Sequence, residues 1–435
     1  MSGRFPAEEV QRAFRDRAVL VGADLDRPGW PIEEDLAELE RLAHTAGAEV
    51  VSTVVQRLDR PVPRTFIGAG KAAEVADVVQ ATDATLVIFD DDLSPSQQAN
   101  LEKTIPDVKI IDRTALILDI FALHATSREG KLQVELAQME YLLPRLRGLW
   151  RHLERLGGGI GTRGPGESQL ETDRRLARKR IANLRRDLKS VGANRALQRS
   201  SREDSGVFRI ALVGYTNAGK SSLLNAMTGA GVLVEDLLFA TLDSTTRRLD
   251  LPDGRSVTLT DTVGFINKLP HGLVEAFKST LDEVREADLL IHVVDVSHTQ
   301  AEAQMVAVDV VLDEIDVAIT PRVLVLNKKD RLDTDAYERA SRRFPDAVIL
   351  SATTGEGIDR LLERLASEAA RGSRTMTVLV PYTRGELVRL AHEQTHLVHE
   401  SHTGDGTQLV LRVPSSLVGR FEPFAVDDGY PRKQE

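Results

Sequence analysis

Gly214-Tyr215-Thr216-Asn217-Ala218-Gly219-Lys220-Ser221-Ser222 is the stretch from which this 435-residue chain is best read. Two glycines five apart, followed at once by Lys-Ser, form a P-loop, a nest of backbone N–H groups for a nucleotide's phosphates. The run Val207-Phe208-Arg209-Ile210-Ala211-Leu212-Val213 before it has the β-branched, apolar content of a buried strand. The run Ser221 to Met227 after it reads as a helix, whose positive end also faces the anion. In this context Lys220 is expected on the β- and γ-phosphates and Ser221 on Mg²⁺.

Three further segments follow in the order a GTPase requires. Asp261-Thr262-Val263-Gly264 succeeds the strand-like Val257-Thr258-Leu259-Thr260. There Asp261 can hold Mg²⁺ through water while the Gly264 N–H meets the γ-phosphate. Asn327-Lys328-Lys329-Asp330 succeeds Val323-Leu324-Val325-Leu326 and decides the base. Guanine offers N1–H and the N2 amine as adjacent donors that one ionised carboxylate, Asp330, accepts together. Adenine lacks that amine and would leave the carboxylate unpaired, a mismatch that such sites reject by about 10⁴-fold or more. Asn327 suits the O6 and N7 side, and the Lys328 stem can cover the ring. Ser351-Ala352-Thr353, after Val348-Ile349-Leu350, brings backbone toward O6.

Between the first helix and Asp261, Phe239-Ala240-Thr241-Leu242-Asp243-Ser244-Thr245-Thr246-Arg247 is the expected metal-sensing switch. Spacing alone does not choose among Thr241, Thr245 and Thr246. Phe265 stands after Gly264, where a glutamine could have oriented water, so intrinsic hydrolysis is expected to be slow.

The length predicts two to four domains. With 42% hydrophobic and 28% charged residues, the chain has a globular composition. The absence of cysteine excludes disulfides, thiolate metal sites and cysteine nucleophiles. The longest apolar run, Ala115 to Ala125, is interrupted by Asp119 and is too short to span a bilayer. The start Met-Ser-Gly-Arg-Phe-Pro has no apolar signal core. A cytoplasmic monomer without stable membrane insertion is the expectation.

Residues from about 17 to 125 alternate strand-like stretches (Val19–Val21, Val50–Val55, Leu86–Phe89, Val108–Ile111) with helical ones (Ile32–Ala46, Ala72–Gln80, Pro95–Lys103). This predicts a small α/β domain with a mostly parallel sheet. Asp90-Asp91-Asp92 reads as a solvated strand-to-helix loop, and Gly68-Ala69-Gly70-Lys71 as a turn opening a helix. Beyond it, Leu132, Leu136, Met139, Leu143 and Leu146 recur at heptad intervals, as do Ala177, Ile181, Leu184, Leu188 and Val191. Gly157 to Gly166 separates them with six glycines and a proline in ten residues. An antiparallel helical hairpin with a glycine-rich tip is expected.

The net charge of −10 conceals an asymmetry. Residues 145–202 hold 16 Lys and Arg against 5 Asp and Glu, a local +11, leaving −21 for the remainder. So concentrated a basic segment, with Arg174, Arg175, Arg178, Lys179 and Arg180, suits a phosphate backbone. Trp150 is a lone aromatic beside it. Ser200 to Gly206 reads as a linker, and Arg371-Gly372-Ser373-Arg374 as a second joint. The C-terminal part, with strands at Thr377–Val380 and Gln408–Val413 and a helix at Gly385–Glu393, reads as a small α+β domain. His392, His396, His399 and His402 within it read as surface histidines.

The chain resembles the HflX family of ribosome-associated GTPases. The resemblance is carried by Gly158-Gly159-Ile160-Gly161-Thr162-Arg163-Gly164-Pro165-Gly166-Glu167-Ser168-Gln169-Leu170-Glu171-Thr172-Asp173-Arg174-Arg175, by the Phe239–Arg247 switch and by Asp261-Thr262-Val263-Gly264-Phe265-Ile266. It implies a Ras-like G domain and binding to the large ribosomal subunit, with the hairpin tip near the peptidyl-transferase region. It also implies activation of GTP hydrolysis there and a part in splitting or rescuing stalled ribosomes under stress. By the same resemblance the Mg²⁺-binding threonine is Thr241, and an apolar residue after Asp-x-x-Gly is usual. Ser244 departs from the proline that relatives carry there.

The fold expected is therefore α/β: an N-terminal α/β domain (1–125), a basic helical hairpin (126–200), a P-loop GTPase domain (207–370) and an α+β C-terminal domain (375–435). Lys220, Gly264 and Thr241 are the expected catalytic residues, and Ser221 and Thr241 the Mg²⁺ ligands. GTP contacts are expected from Gly214 to Ser221, Phe239 to Asp243, Asp261 to Gly264, Asn327 to Asp330 and Ser351 to Thr353. The alternatives are a GTPase working on free RNA or tRNA and a GTP-binding scaffold with little turnover.

Overall fold

The computed structural model describes residues 16–25, 30–146, 169–203, 207–229, 237–268, 278–317, 319–371, 373–414 and 417–426. The glycine-rich tip, Trp150 and the family signature up to Ser168 lie outside the described residues. The chain divides into two compact units. The first takes in residues 1–190 together with 235–243 and 266–278, and the second takes in the rest.

In the first unit, β1 (Arg17–Asp24), β2 (Glu49–Arg57), β3 (Leu86–Phe89) and β4 (Lys109–Asp112) form a parallel sheet in the order β2-β1-β3-β4. Helices α1 (Ile32–Thr45), α2 (Ala69–Ala81), α3 (Pro95–Thr104) and α4 (Arg113–His124) connect and follow these strands. Val19, Val21, Val87, Phe89 and Ile110 supply the core beneath Val75 and Leu101. Local chemistry sets the helix starts. Ser94 and Gln97 form a reciprocal capping box for α3, and Asp112 accepts from the Ala115 N–H to cap α4. Gly68 opens α2 as its N-cap, as the sequence suggests.

Helix α5 (Arg128–Leu142) and the first part of α6 (Gln169–Glu203) belong to the same unit. Ala177, Ile181 and Leu184 of α6 are buried, as their heptad spacing predicts. On α5 the expected seam is displaced. Glu129, Gly130, Gln133, Val134 and Ala137 are the buried positions, whereas Leu132, Leu136 and Met139 are only partly covered. The physical reason is that α5 also packs against α4, so its buried face turns away from the leucine row. Helix α6 continues to Glu203, through most of the stretch expected to be a linker.

A second correction concerns Asp90-Asp91. Far from being solvated, Asp90 is fully buried and Asp91 nearly so. Arg113, itself buried, donates to Asp90 Oδ1 at 2.6 Å and also pairs with Glu38. Lys268 reaches Asp35 at 2.7 Å and is also in contact with Asp90. A buried carboxylate needs such partners. They come from residues remote in sequence, which a local reading of Asp-Asp-Asp cannot supply.

In the second unit, β5 (Arg209–Gly214), β6 (Thr245–Asp250), β7 (Ser256–Asp261), β8 (Leu289–Asp295), β9 (Arg322–Asn327) and β10 (Val348–Ile349) form one sheet in the order β10-β9-β8-β5-β7-β6. All neighbours are parallel except the β6/β7 pair. Ile210, Leu212, Leu259, Ile291 and Val325 form its core with Leu223 of α7 (Lys220–Thr228) and Leu361 of α11 (Ile358–Arg371). Helices α8 (Lys278–Arg285), α9 (Ala301–Glu314) and α10 (Thr334–Arg343) complete the alternation. A separate antiparallel sheet of β11 (Ser373–Val380), β12 (His396–His402) and β13 (Thr407–Pro414) packs on α12 (Gly385–Gln394). Three of the four histidines, His396, His399 and His402, thus lie on a strand, whereas His392 is on α12, 3.0 Å from Glu400.

Removing Arg113 would leave Asp90 and Glu38 buried without their guanidinium. Breaking one side of a buried ion pair typically costs about 3–5 kcal/mol. Arg113→Ala is therefore expected to lower the stability of the first unit by that amount in urea titration. A loss below about 1 kcal/mol would show that the network contributes little.

Candidate functional site

Parallel strands place their carboxyl ends along one edge, and the predicted motifs of the second unit begin there. β5 ends at Gly214 and the P-loop passes into α7 at Lys220. Two glycines are required by close approach. A Cβ on Gly219, whose φ is +95°, would sit 2.2 Å from Asn327 Nδ2. One on Gly264 would sit 2.8 Å from Thr216 Cα and 3.0 Å from Lys220 Nζ. The loop, the Asp261–Gly264 segment and the Asn327 strand end therefore converge at backbone distance.

Lys220 is buried in this cradle. Its Nζ donates to the carbonyls of Tyr215 at 2.9 Å and Gly214 at 3.2 Å. Burial pulls the ammonium pKa down to about 8, although the nearby Asp261 carboxylate works in the opposite direction. The Ser221 hydroxyl donates to Asp261 Oδ2 at 2.5 Å. The hydroxyl of Thr216 is buried with no hydrogen-bond partner among the described residues. These observations fit the groups the motifs imply. A hydroxyl beside a carboxylate is a hard oxygen donor set suited to Mg²⁺, and a helix start with a buried ammonium suits phosphate.

The Asp261 segment is fastened from beneath. Thr262 Oγ1 donates to the Leu212 carbonyl at 2.6 Å. The Phe265 carbonyl accepts from the Thr216 N–H at 2.7 Å, and the Phe265 N–H donates to Gly214 at 3.1 Å. The Phe265 ring is 1% exposed, so it is a core residue and cannot hold water.

On the base side, Asn327 Nδ2 donates to the Ala218 carbonyl at 2.9 Å, and its Oδ1 accepts from the Ala352 N–H at 3.0 Å. Its amide thus ties the P-loop to the Ser351-Ala352-Thr353 turn, a bracing role that the sequence reading did not assign. Lys328 adopts a left-handed backbone with φ of +66°, and its Nζ lies 2.6 Å from Asp295 Oδ2. Asp295 ends β8 and was missed, although an acidic residue closing an apolar run was a readable signal. Burial opposes its charge, but Lys328 and Ser297 outweigh this and hold its carboxyl below the usual range. Lys329 is fixed by its N–H to Leu350 at 3.1 Å and stacks 4.7 Å above the Tyr337 ring. Asp330 is exposed and accepts from the Ser351 hydroxyl.

Of the three switch threonines, Thr245 and Thr246 lie in β6 opposite Asp261 and Thr260, and the Thr246 and Thr260 hydroxyls are 2.9 Å apart. Thr241 lies outside that strand, in the segment that clusters with the first unit. There Phe239 and Leu242 are buried, Ala240 is exposed, and the Asp243 carboxylate is bound to the start of α5. The GTP contacts expected of Phe239 to Asp243 therefore fall on a segment packed into the first unit.

Residues 33–122 match the family model described as GTP-binding GTPase N-terminal, residues 124–202 its middle region, and residues 209–328 the 50S ribosome-binding GTPase. GTPase HflX of Escherichia coli (strain K12) is 46% identical over 384 residues, covering 88% of this chain and 90% of that protein. GTPase HflX of Lacrimispora saccharolytica is 46% identical over 410 residues, covering 94% and 95% respectively. A GTP-binding protein of Sulfolobus solfataricus crystallised with GDP is 24% identical, with a TM-score of 0.42 and coverage of 82% of this chain and 99% of that one. No helix among the described residues is long and apolar enough to cross a membrane. With the nucleotide motifs on one sheet edge and this extent of similarity, the chain belongs to the HflX family and is a GTP-hydrolysing enzyme.

Proposed function

We propose that this GTPase is Mg²⁺-dependent, docks on the large ribosomal subunit through residues 145–202 and hydrolyses GTP when docked, in the splitting or rescue of stalled ribosomes under stress. The observation that carries the docking is how the charges of α6 are divided. Arg180 pairs with Glu135 through two hydrogen bonds of 2.6 and 2.7 Å, and Arg185 pairs with Glu140 at 2.8 Å. Both are occupied in holding α6 to α5, which withdraws Arg180 from the RNA-binding set that the sequence suggested. Arg175, Arg178, Lys179, Arg186 and Lys189 are exposed on α6, as Arg180 and Arg185 are, with Arg174 partly so. Such a cationic face suits a phosphate backbone, and the 50S ribosome-binding description of the matching model supports the large subunit as its source.

Within the site, Lys220 would bind the β- and γ-phosphates, the Gly264 N–H would register the γ-phosphate, and Asp330 would select guanine. Asn327 would brace the base pocket. Ser221 and Thr241 would hold Mg²⁺, with Asp261 behind Ser221; the ion, when bound, neutralises charge on the phosphates. Phe265 leaves the attacking water without a side chain from its position, so completion of the site by the docked partner follows naturally. The carbonyls around the buried Lys220 ammonium and the Ser221 hydroxyl on Asp261 support the phosphate and metal roles of these three residues.

GTP turnover titrated with purified large subunits is expected to rise at least about tenfold in rate, as groups completing a transition-state site supply. Arg174→Ala/Arg175→Ala/Arg178→Ala should weaken docking and flatten its log–log salt slope by about 1 per lost phosphate contact. A flat titration and an unchanged slope would sink the ribosomal reading.

Asp330→Asn exchanges one acceptor for a donor facing guanine. GTP affinity should fall by about 10²–10⁴-fold while ATP affinity stays weak. Retained preference for GTP, measured by competition titration, would move base selection elsewhere.

Lys220 supplies a pH test. Its folded pKa of about 8 lies below the ordinary 10.5, so neutral lysine is favoured in the free protein as pH rises through 8. Phosphates restore the charge, and GDP binding at about pH 8.5 should therefore take up a proton. Calorimetry in buffers of different ionisation enthalpy reads this directly. Uptake should vanish near pH 6.5, where Lys220 is already charged, and in Lys220→Met. Equal proton counts at both pH values would refute the depressed pKa.

A further inference from the structure

Asp295 belongs to none of the nucleotide motifs, yet its carboxylate serves one of them. It ends β8 in register with Asn327, the residue that opens the Asn327-Lys328-Lys329-Asp330 run. The chain turns there on its own side chain. Asp295 Oδ1 accepts from the Ser297 N–H at 3.0 Å and from the Ser297 hydroxyl at 2.6 Å. An aspartate that bonds the N–H two residues on closes a local turn and fixes its own rotamer. The Val296 N–H donates to the Asn327 carbonyl at 3.1 Å, so the turn is also tied to the start of the motif. The other oxygen, Oδ2, lies 2.6 Å from Lys328 Nζ, with the two side chains only 15% (Lys328) and 12% (Asp295) exposed.

Lys328 is held from its backbone as well. Its φ of +66° is a left-handed conformation that residues other than glycine adopt uncommonly. Its neighbours on both sides are fixed. Asn327 spans the Ala218 carbonyl of the P-loop and the Ala352 N–H, and the Lys329 N–H donates to Leu350. A lysine fixed at Cα and at Nζ has its methylenes drawn out between two points. A free lysine stem has among the largest rotamer freedoms of any side chain, and that freedom is lost when a ligand lies against it. Pinning the ammonium removes the loss beforehand, which is how preorganisation raises affinity without a new contact.

We infer that Asp295, set by Ser297, is a positioning residue for guanine: it holds the Lys328 stem extended as a platform for the base. The inference rests on the reading of Asn327 to Asp330 as the guanine-selecting run. It assigns Asp295 to base affinity and not to the phosphates, so nucleotides with two and three phosphates should feel it equally.

The test is a double-mutant cycle in the full chain. Asp295→Asn keeps an oxygen for Ser297 and removes the charge that faces Lys328. Affinities for GDP and for the non-hydrolysable analogue GMPPNP should both fall about five- to tenfold, the scale of one immobilised side chain. Inorganic tripolyphosphate, which has no base, should keep its affinity within about twofold, which also shows that the loop is folded. In the Lys328→Ala background, Asp295→Asn should change GDP affinity by less than about twofold, because the residue it acts through is gone. Ser297→Ala should weaken both nucleotides by less than Asp295→Asn does. A merely structural aspartate would weaken tripolyphosphate too, and would cost the same in both backgrounds. Either result overturns the inference, as does unchanged GDP affinity in Asp295→Asn. Asp330→Asn separates the inference from the reading beneath it. If it loses the preference for GTP over ATP while Asp295→Asn leaves GDP affinity unchanged, the inference falls alone. If it keeps that preference, the guanine reading falls and the inference with it.

Discussion

A buried ammonium with carbonyls on one side is the constraint around which the nucleotide unit is arranged. Lys220 cannot remain charged in that position at low cost, and its lowered pKa records the cost. The cradle must therefore hold carbonyls at Gly214 and Tyr215 close to it, and its glycines must let three chain segments approach without Cβ atoms between them. From this follow the fastening of Phe265 to Gly214, the Asn327 brace and the meeting of Ser221 with Asp261. A polyanion completes the environment that the protein leaves half-built, which is why phosphate recognition and the folding of this loop are a single problem.

The elements most legible in the sequence are those whose signal is local. Leu86–Phe89 is a strand over the predicted residues, and α3 begins at Pro95 because Ser94 and Gln97 cap it. The P-loop context is likewise written within about twenty residues. Partners distant in sequence defeat such reading. Asp90 and Asp91 look like loop carboxylates until Arg113 and Lys268 are brought to them. The α5 leucine row looks like a seam until α4 claims the adjacent face. The histidine stretch became β12 because Leu397 and its neighbours pair with β13, a pattern too short to announce itself. Thr245 and Thr246 lie in β6, an edge strand of mixed polar residues whose sequence carries little apolar alternation to announce it.

Charge is used in two different ways along α6, and composition alone could not distinguish them. Within the +11 excess of residues 145–202, Arg180 and Arg185 of the described part of α6 pair with glutamates of α5. Exposed pairs such as Arg180–Glu135 contribute little to stability individually. Their stronger consequence is geometrical: a bidentate fork fixes the rotation of α6 about its axis, and with it the direction in which Arg178 and Lys179 point.

The two segments that the first unit borrows from the nucleotide motifs are held by charges of opposite sign. Asp243 lies on N–H groups and hydroxyls at a helix start, whereas Lys268, four residues after Gly264, lies among Asp35, Asp90 and Asp91. Burial works against Lys268, yet the surrounding carboxylates outweigh it and raise its pKa. Neither anchor is an apolar contact that could slide. Each is a partly or largely buried charge, with partners at the start of α5 for Asp243 and on α1 and just after β3 for Lys268, and leaving either seat exposes unpaired polar groups on both sides. Such contacts have two states, made or broken, with little between.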